Sequence, residues 1–364
     1  SALVSPSSKT EQLASNGRTP IIHVDPTTPR TEACPLNGEK YTKAESEAWA
    51  KRRPLAIMIE NHLDSRPQSG ISTADIVYEA VAEGAITRLM AVFYCDAIAA
   101  DTNVGAVRSA RTYFLDWASE YSKNPLYVHV GGGNTPNKAD ALGQIISYGW
   151  GGENDLNQFG LSVKECWRDD TILKKALLVD HVATEHTMQC STEALWKVAA
   201  KRGWAAIGQD GKSWTASFTP WKFADPKPLS PPTATVISFD FWKDYPQYSV
   251  KWTYDSSSNL YTRDNGGKAA IDHNSGQQIK VRVVITQFVK ETGPIDDHMH
   301  LLYGTIGTGK AVIYQNGEAI PATWTKKDRL SRTIFTDSKA KEIKFAAGKI
   351  WIEELPTTSP VTVK

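Results

Sequence analysis

Apolar residues follow two rhythms along this chain, and the change of rhythm divides it. From about residue 45 to 205, short apolar runs alternate with segments of helical period. KAESEAWAKR reads as a helix, and Pro54 then opens the strand PLAIMIEN. HLDSRPQSGIS is rich in turn formers, with a short helix or turn around Thr73 to Asp75. IVYEAVAEG and ITRLMAVFY read as strands separated by Gly84, and the loop CDAIAADTN leads on to VGAV. RTYFLDWASEYSK places Tyr113, Phe114, Trp117 and Tyr121 on one helical face. NPLYVHVGGGN is a strand ending in three glycines, and KADALGQIISYGW reads as a helix. STEALWKVAAKRGW is a helix capped by Ser191 or Thr192, favoured at its first turn by Glu193 and ended by Gly203.

The stretch from Phe223 to Thr235 holds four prolines and reads as a linker. Beyond it ATVISFDF, YSVKWTYD, LYTRDN, KVRVVITQFV, AVIYQ, EAIPATWT, RTIFTD and KIWIEEL are short, alternating and turn-bounded. NG, GG and GK pairs there mark hairpins. The pattern predicts a flexible N-terminal arm (1–44), an α/β layer domain (45–222) and a Pro-rich linker (223–235). A small, mostly antiparallel β domain, a barrel or sandwich, follows (236–356), with a tail (357–364).

Composition narrows the function. Basic and acidic residues nearly cancel, at 41 and 40, which argues against a general nucleic-acid binder. No apolar stretch reaches the length of a membrane span. Twelve tryptophans offer packing area or stacking surfaces for ring-shaped ligands. The four cysteines form no CxxC pair and allow three pairings; free thiols are the default. Cys95, in an apolar run, reads as a buried thiol, and Cys34, before a proline, as the better disulfide partner. The Ser/Thr/Pro-rich start carries no signal peptide but reads as a tether of the kind that follows a lost leader or lipid anchor. That composition favours an exported protein over a cytoplasmic one.

Several strings carry candidate chemistry. In VRSAR, Arg108 and Arg111 share a side if a helix has begun, and two guanidinium forks with free backbone N–H groups would hold an anion. The alternative is internal pairing with Glu79 or Glu83. In YEAVAEGAITR those two glutamates stand four apart, so regular alternation puts them on one face, with Arg88 on the next strand. Glu60 and Asn61 end PLAIMIEN, which makes a polar cluster at strand ends, where α/β sheets bind ligands. His129, before the glycines, reads as a ligand contact or a satisfied core histidine; YVHVGGGN lacks the dinucleotide pattern. GTIGTGKA has Ala311 where a phosphate loop needs a hydroxyl, and a strand where it needs a helix. Asp296, Asp297, His298 and His300 lack a third ligand at defined spacing, so no metal and no cofactor is expected. KKDRLSR reads as a solvated basic turn able to touch an anionic surface.

The strings PLAIMIENHLDSRPQSGISTADIVYEAVAEGAITRLMAVFY, VGAVRSARTYFLDWASEY and YVHVGGG occur in order. GTGKAVIYQNGEAIPATWTKKDR and KEIKFAAGKIWIEELP follow in the second half. Together they resemble the YerB-like family of bacterial proteins named as lipoproteins, over most of residues 45 to 356. The resemblance implies the fold, a two-domain layout and an extracytoplasmic, membrane-anchored location, but no reaction. It also adds Arg168, in the WRDD string, and His186, where the family runs on to proline-histidine-asparagine. Glu185 and Thr187 replace the neighbours of that histidine here. The combined expectation is an anchored or secreted protein binding an anionic or polar envelope ligand, such as a glycan. Its cleft would be built from Glu60, Asn61, Glu79, Glu83, Arg88, Arg108, Arg111, His129, Arg168 and His186. Contact with the membrane would come only through a lost N-terminal anchor. Two alternatives are an envelope polysaccharide hydrolase with Glu79 and Glu83 as acid and base, and a scaffold whose partners are envelope proteins.

Overall fold

A computed structural model of the chain describes residues 13–14 and 17–364. Residues 1–12 and 15–16, part of the expected arm, lie outside the described residues. The fold is mixed, with several sheets and short helices. Helix α1 (Lys43–Trp49) is fixed by a capping box: Glu45 N–H donates to the Thr42 hydroxyl and the Glu45 carboxylate accepts from Thr42 N–H. Three strands follow: β1 (Leu55–Glu60), β2 (Ile76–Glu83) and β3 (Ile86–Phe93). They are buried along nearly their whole length, which is why they read as continuous apolar runs. Next come β4 (Asn103–Gly105), α2 (Thr112–Ala118), β5 (Leu126–His129), α3 (Ala141–Ser147), β6 (Asp155–Asn157) and β7 (Cys166–Arg168). The N-terminal half closes with α4 (Thr171–Leu177), β8 (Met188–Ser191) and α5 (Thr192–Lys201). Ser191 caps α5 through Ala194 N–H, and Gly203 takes the left-handed turn beyond it.

The second half supplies β9 (Val236–Phe239), β10 (Val250–Asp255), β11 (Leu260–Asn265), β12 (Val283–Val289), β13 (Gly307–Gln315), β14 (Glu318–Lys326), β15 (Ile334–Thr336), β16 (Ile350–Pro356) and β17 (Val361–Val363). GTIGTGKA runs into β13, and the turn to β14 is Asn316–Gly317, both at positive φ, as a tight hairpin requires.

The strands of the expected barrel or sandwich do not form a separate sheet system. Ten strands from both halves make one mixed sheet in the order β6-β5-β1-β3-β2-β16-β12-β13-β14-β15. The join is parallel: Ile350–Glu353 of β16 aligns with Ile76–Glu79 of β2. A six-stranded sheet built on β11, β10, β9 and β17 packs over this join, with Trp252 of β10 edge-on to Trp351 of β16 at 5.5 Å. A three-stranded sheet, β7-β8-β4, lies beside the first half.

Parts of the expected arm, linker and tail are held in sheets. In the arm, Thr19–Pro20 pairs with Ala100–Asp101, and Cys34 and Leu36 are buried. In the Pro-rich stretch, Phe223–Ala224 pairs with Phe345–Ala346 and Ala234 is buried. The tail adds β17 to β9. In each case a few apolar anchors outweigh the composition. All four cysteines are bonded, Cys34 to Cys95 and Cys166 to Cys190, so the thiol expected at Cys95 is a disulfide.

Candidate functional site

The ten expected site residues are not one cleft: the sheet separates most of them onto two faces. On the regular part of β2, Glu79 and Thr87 of β3 share a face, and Glu79 accepts from Thr87 Oγ1 at 2.7 Å. Glu83 would share that face by simple alternation. A bulge intervenes: Val81 pairs with Thr87 but Glu83 with Ile86, so Ala82 is the extra residue. Glu83 therefore turns to the opposite face, where Arg88 lies.

The first face is an internal seam. The Glu79 side chain is 0% exposed and lies 2.6 Å from Arg263 of β11. It also accepts from Asn61 at 3.2 Å and from Trp351 Nε1 at 3.2 Å. Arg263 reaches Glu353 of β16 with its other nitrogen at 2.7 Å. Its guanidinium sits over the rings of Trp252 at 5.2 Å and Trp351 at 4.5 Å. Burial pushes the Glu353 carboxyl up to about 8, against the pull of Arg263. Asn61 is saturated as well, facing Glu79, Thr87 and Asn265 with its nitrogen and accepting from Arg66 and Gln68. This face cements the two halves of the chain and offers no route to a substrate.

The second face holds Glu60, Glu83, Arg88 and Arg111. Glu83 accepts from Arg88 Nη2 at 2.8 Å and from Arg111 Nη2 at 2.7 Å. Burial would raise its carboxyl, but the two guanidiniums override this and hold it at about 2. Arg111 also donates to the carbonyl of Ala110, and Arg88 to that of Ser109. Arg88 and Arg111 are therefore internally paired, as the structural alternative required. His129 belongs to neither group. It is fully buried, with Gly131 O at 2.6 Å from Nδ1 and Asp155 Oδ1 at 2.7 Å from Nε2.

One edge remains open. Arg108 meets Glu60 through Nε alone, at 3.2 Å, and its side chain is 25% exposed. Its two terminal nitrogens have no partner among the described residues. Glu60 also accepts from His186 Nδ1 at 2.8 Å. Burial opposes ionisation of Glu60, but His186, Arg108 and Arg88 together hold it below the usual carboxylate range. The same hydrogen bond raises the His186 imidazole, so this edge gains positive charge readily. His62 stacks on His186 at 4.9 Å. Arg168 is exposed and donates to the Thr184 carbonyl, bracing the turn that carries His186.

His62, Asp64 and His186 could offer a metal three ligand atoms within 4.8 Å of one another. The Nδ1 atoms of both histidines are already engaged, that of His62 by Asp64 N–H and that of His186 by Glu60. The DDHMH string is a turn rather than a strand: Asp296 accepts from the backbone of His298 and His300 and from His300 Nδ1. Sequence reasoning missed Arg263, Glu353 and His62. The inward positions of LYTRDN, which put Arg263 between Tyr261 and Asn265, were the available signal.

The profile of the N-terminal domain of a family described as a protein of unknown function, DUF3048, matches residues 38–205. The profile of its C-terminal domain matches residues 237–352. A Bacillus subtilis (strain 168) protein named "Putative lipoprotein YerB" is 27% identical over 340 residues, covering 93% of this chain and 90% of the relative. A crystal structure of the YerB protein from Bacillus subtilis aligns with a TM-score of 0.71 at 25% identity, over 91% of this chain and 100% of that one.

Proposed function

We propose, for a chain that belongs to the DUF3048 family of two-domain proteins of unknown function, that it binds an anionic cell-envelope ligand. The ligand is held at the Arg108 edge. The observation that carries this reading is the half-used guanidinium of Arg108. It presents two free donors beside the His62–His186 stack, while the neighbouring arginines are spent on internal carboxylates. Location outside the cytoplasm is supported by the pairing of all four cysteines and by the lipoprotein name of the relative. Among the described residues no helix is long and apolar enough to cross a membrane, so a tether outside them would have to supply anchoring.

The hydrolase alternative loses its acid–base pair. Glu79 and Glu83 lie on opposite faces, and Glu79 is sealed under Arg263 and Trp351. The test is cosedimentation with purified envelope fractions. Wild-type protein should pellet with them and Arg108→Ala should not. Equal pelleting of the two proteins overturns the proposal.

A further inference from the structure

Eleven of the twelve tryptophans are accounted for by the fold. Ten are buried, and Trp242 packs on the core, donates to Glu291 at 2.8 Å and meets the ring of Tyr245. Trp167 is the exception. It is half-buried on β7, and among the described residues it has no ring partner and no acceptor for its indole N–H. Nor does it belong to the packed core. A large flat side chain left half-open is unusual, because tryptophan in a soluble fold normally buries its area.

Trp167 instead lines a crevice of about 380 Å³ together with Asp169, Thr171, Gln189, His273 and Asn274. Trp167 and Gln189 are cross-strand partners on β7 and β8, so they share a face. His273 and Asn274 come from the other half of the chain. His273 N–H donates to Gln68 O at 2.8 Å, and Asn274 Nδ2 to Asn103 O at 2.9 Å. The crevice thus lies where the two sequence halves meet, a common position for ligand sites.

A second observation points to a ligand. Gln189 is only 5% exposed, yet its buried Oε1 has no hydrogen-bond partner among the described residues. Buried amide oxygens are normally satisfied, so this one awaits a donor. Gly105 gives the amide its room: a Cβ there would lie 2.4 Å from Gln189 Nε2. Among the described residues the hydrogen bonds that the Asp169 side chain accepts both come from Thr171, through Oδ1, which leaves Oδ2 as a second acceptor at the rim. The carboxylate disfavours an anion, and the amide and carboxylate lining disfavours a purely apolar ligand. A neutral ring bearing hydroxyl donors and an apolar C–H face satisfies both.

We propose that this crevice is a subsite for a neutral saccharide ring. The sugar stacks on Trp167 and donates hydroxyls to Gln189 Oε1 and Asp169 Oδ2. The proposal deepens the envelope-binding reading and rests on it only for the source of the sugar.

The test is fluorine NMR on the full chain labelled with fluorotryptophan, with the Trp167 line assigned by its loss in Trp167→Phe. The probes are tetramers of N-acetylglucosamine and of glucose at millimolar concentration. The Trp167 line should move with at least one of them. Trp167→Ala should weaken that binding about tenfold or more, and Gln189→Leu several-fold, with unfolding midpoints unchanged. Arg108→Ala should leave it intact. A Trp167 line that moves with neither probe, or undiminished affinity in Trp167→Ala, overturns the proposal. Saccharide binding that persists while Arg108→Ala pellets like wild type overturns only the function proposed above.

Discussion

Replacing Arg263 by methionine removes the one cation that serves both Glu79 and Glu353 beneath the six-stranded sheet. Stripping a partner from a buried ion pair costs about 3–5 kcal/mol, because the remaining charge is left without compensation. Loss of the guanidinium contacts with Trp252 and Trp351 adds about 1–2 kcal/mol. Glu353 offsets part of this: burial pushes it up to about 8, so near neutral pH it largely keeps its proton. The net expectation is a loss of about 4 kcal/mol, a large share of the roughly 5–15 kcal/mol that holds a typical domain together. Urea unfolding followed by tryptophan fluorescence should show a midpoint lower by about 1 M, with an unchanged slope. Because Arg263 and Glu79 belong to different sequence halves, both halves should still unfold in a single transition. The triple variant Arg263→Met/Glu79→Gln/Glu353→Gln should recover most of the loss, since no buried charge is then orphaned. A loss below about 1 kcal/mol, or a triple variant no more stable than the single one, would refute the seam.

Two further outcomes follow from the same chemistry. Glu83, held at about 2 in the folded state, contributes stability above its ordinary value of about 4.3, lost as pH falls toward 2. Glu353 at about 8 and Asp75 at about 7, both raised by burial, contribute fully below about pH 4, and that contribution is lost as pH rises through their folded values. His186, raised by its hydrogen bond to Glu60, contributes fully below about 6.5, and that contribution is lost as pH rises through its folded value. Urea midpoints should therefore peak near about pH 5 and decline on both sides; a plateau extending to about pH 8.5 contradicts these assignments. The disulfides span separations of 61 and 24 residues. Loop-closure entropy then predicts losses of about 4 and about 3.5 kcal/mol for Cys34→Ser/Cys95→Ser and Cys166→Ser/Cys190→Ser. Calorimetry showing no fall in melting temperature for either double variant would count against both bonds.

Local features were legible because local rules govern them. The Ser191 cap, the Gly203 stop and the Asn316–Gly317 hairpin each depend on a few adjacent residues. What escaped was non-local. Nothing near KIWIEEL says that β16 will pair with β2, which lies far away in the sequence, because parallel partners share no turn. The bulge at Ala82 escaped for a related reason: one extra residue reverses a face without altering the apolar run. That reversal separated Glu79 from Glu83 and left the acid–base pair of the hydrolase alternative as two structural carboxylates. Of the candidate residues, Arg108, Arg168 and His186 gather at an open edge, while Glu79, Asn61, Arg88 and His129 are interior. The tryptophan count pointed to stacking or packing. Half-burial, with no ring partner or hydrogen-bond acceptor among the described residues, distinguishes Trp167 from the rest.

The central claim is that Arg108, rather than the buried pairs, meets the ligand. Titration calorimetry of wild type, Arg108→Lys and Arg108→Ala with a defined glycerol-phosphate oligomer, at low and high salt, tests it most directly. Binding should weaken about tenfold in Arg108→Ala, less in Arg108→Lys, and the salt dependence should flatten as the charge is removed. Identical affinities and salt slopes across the three proteins would contradict the account.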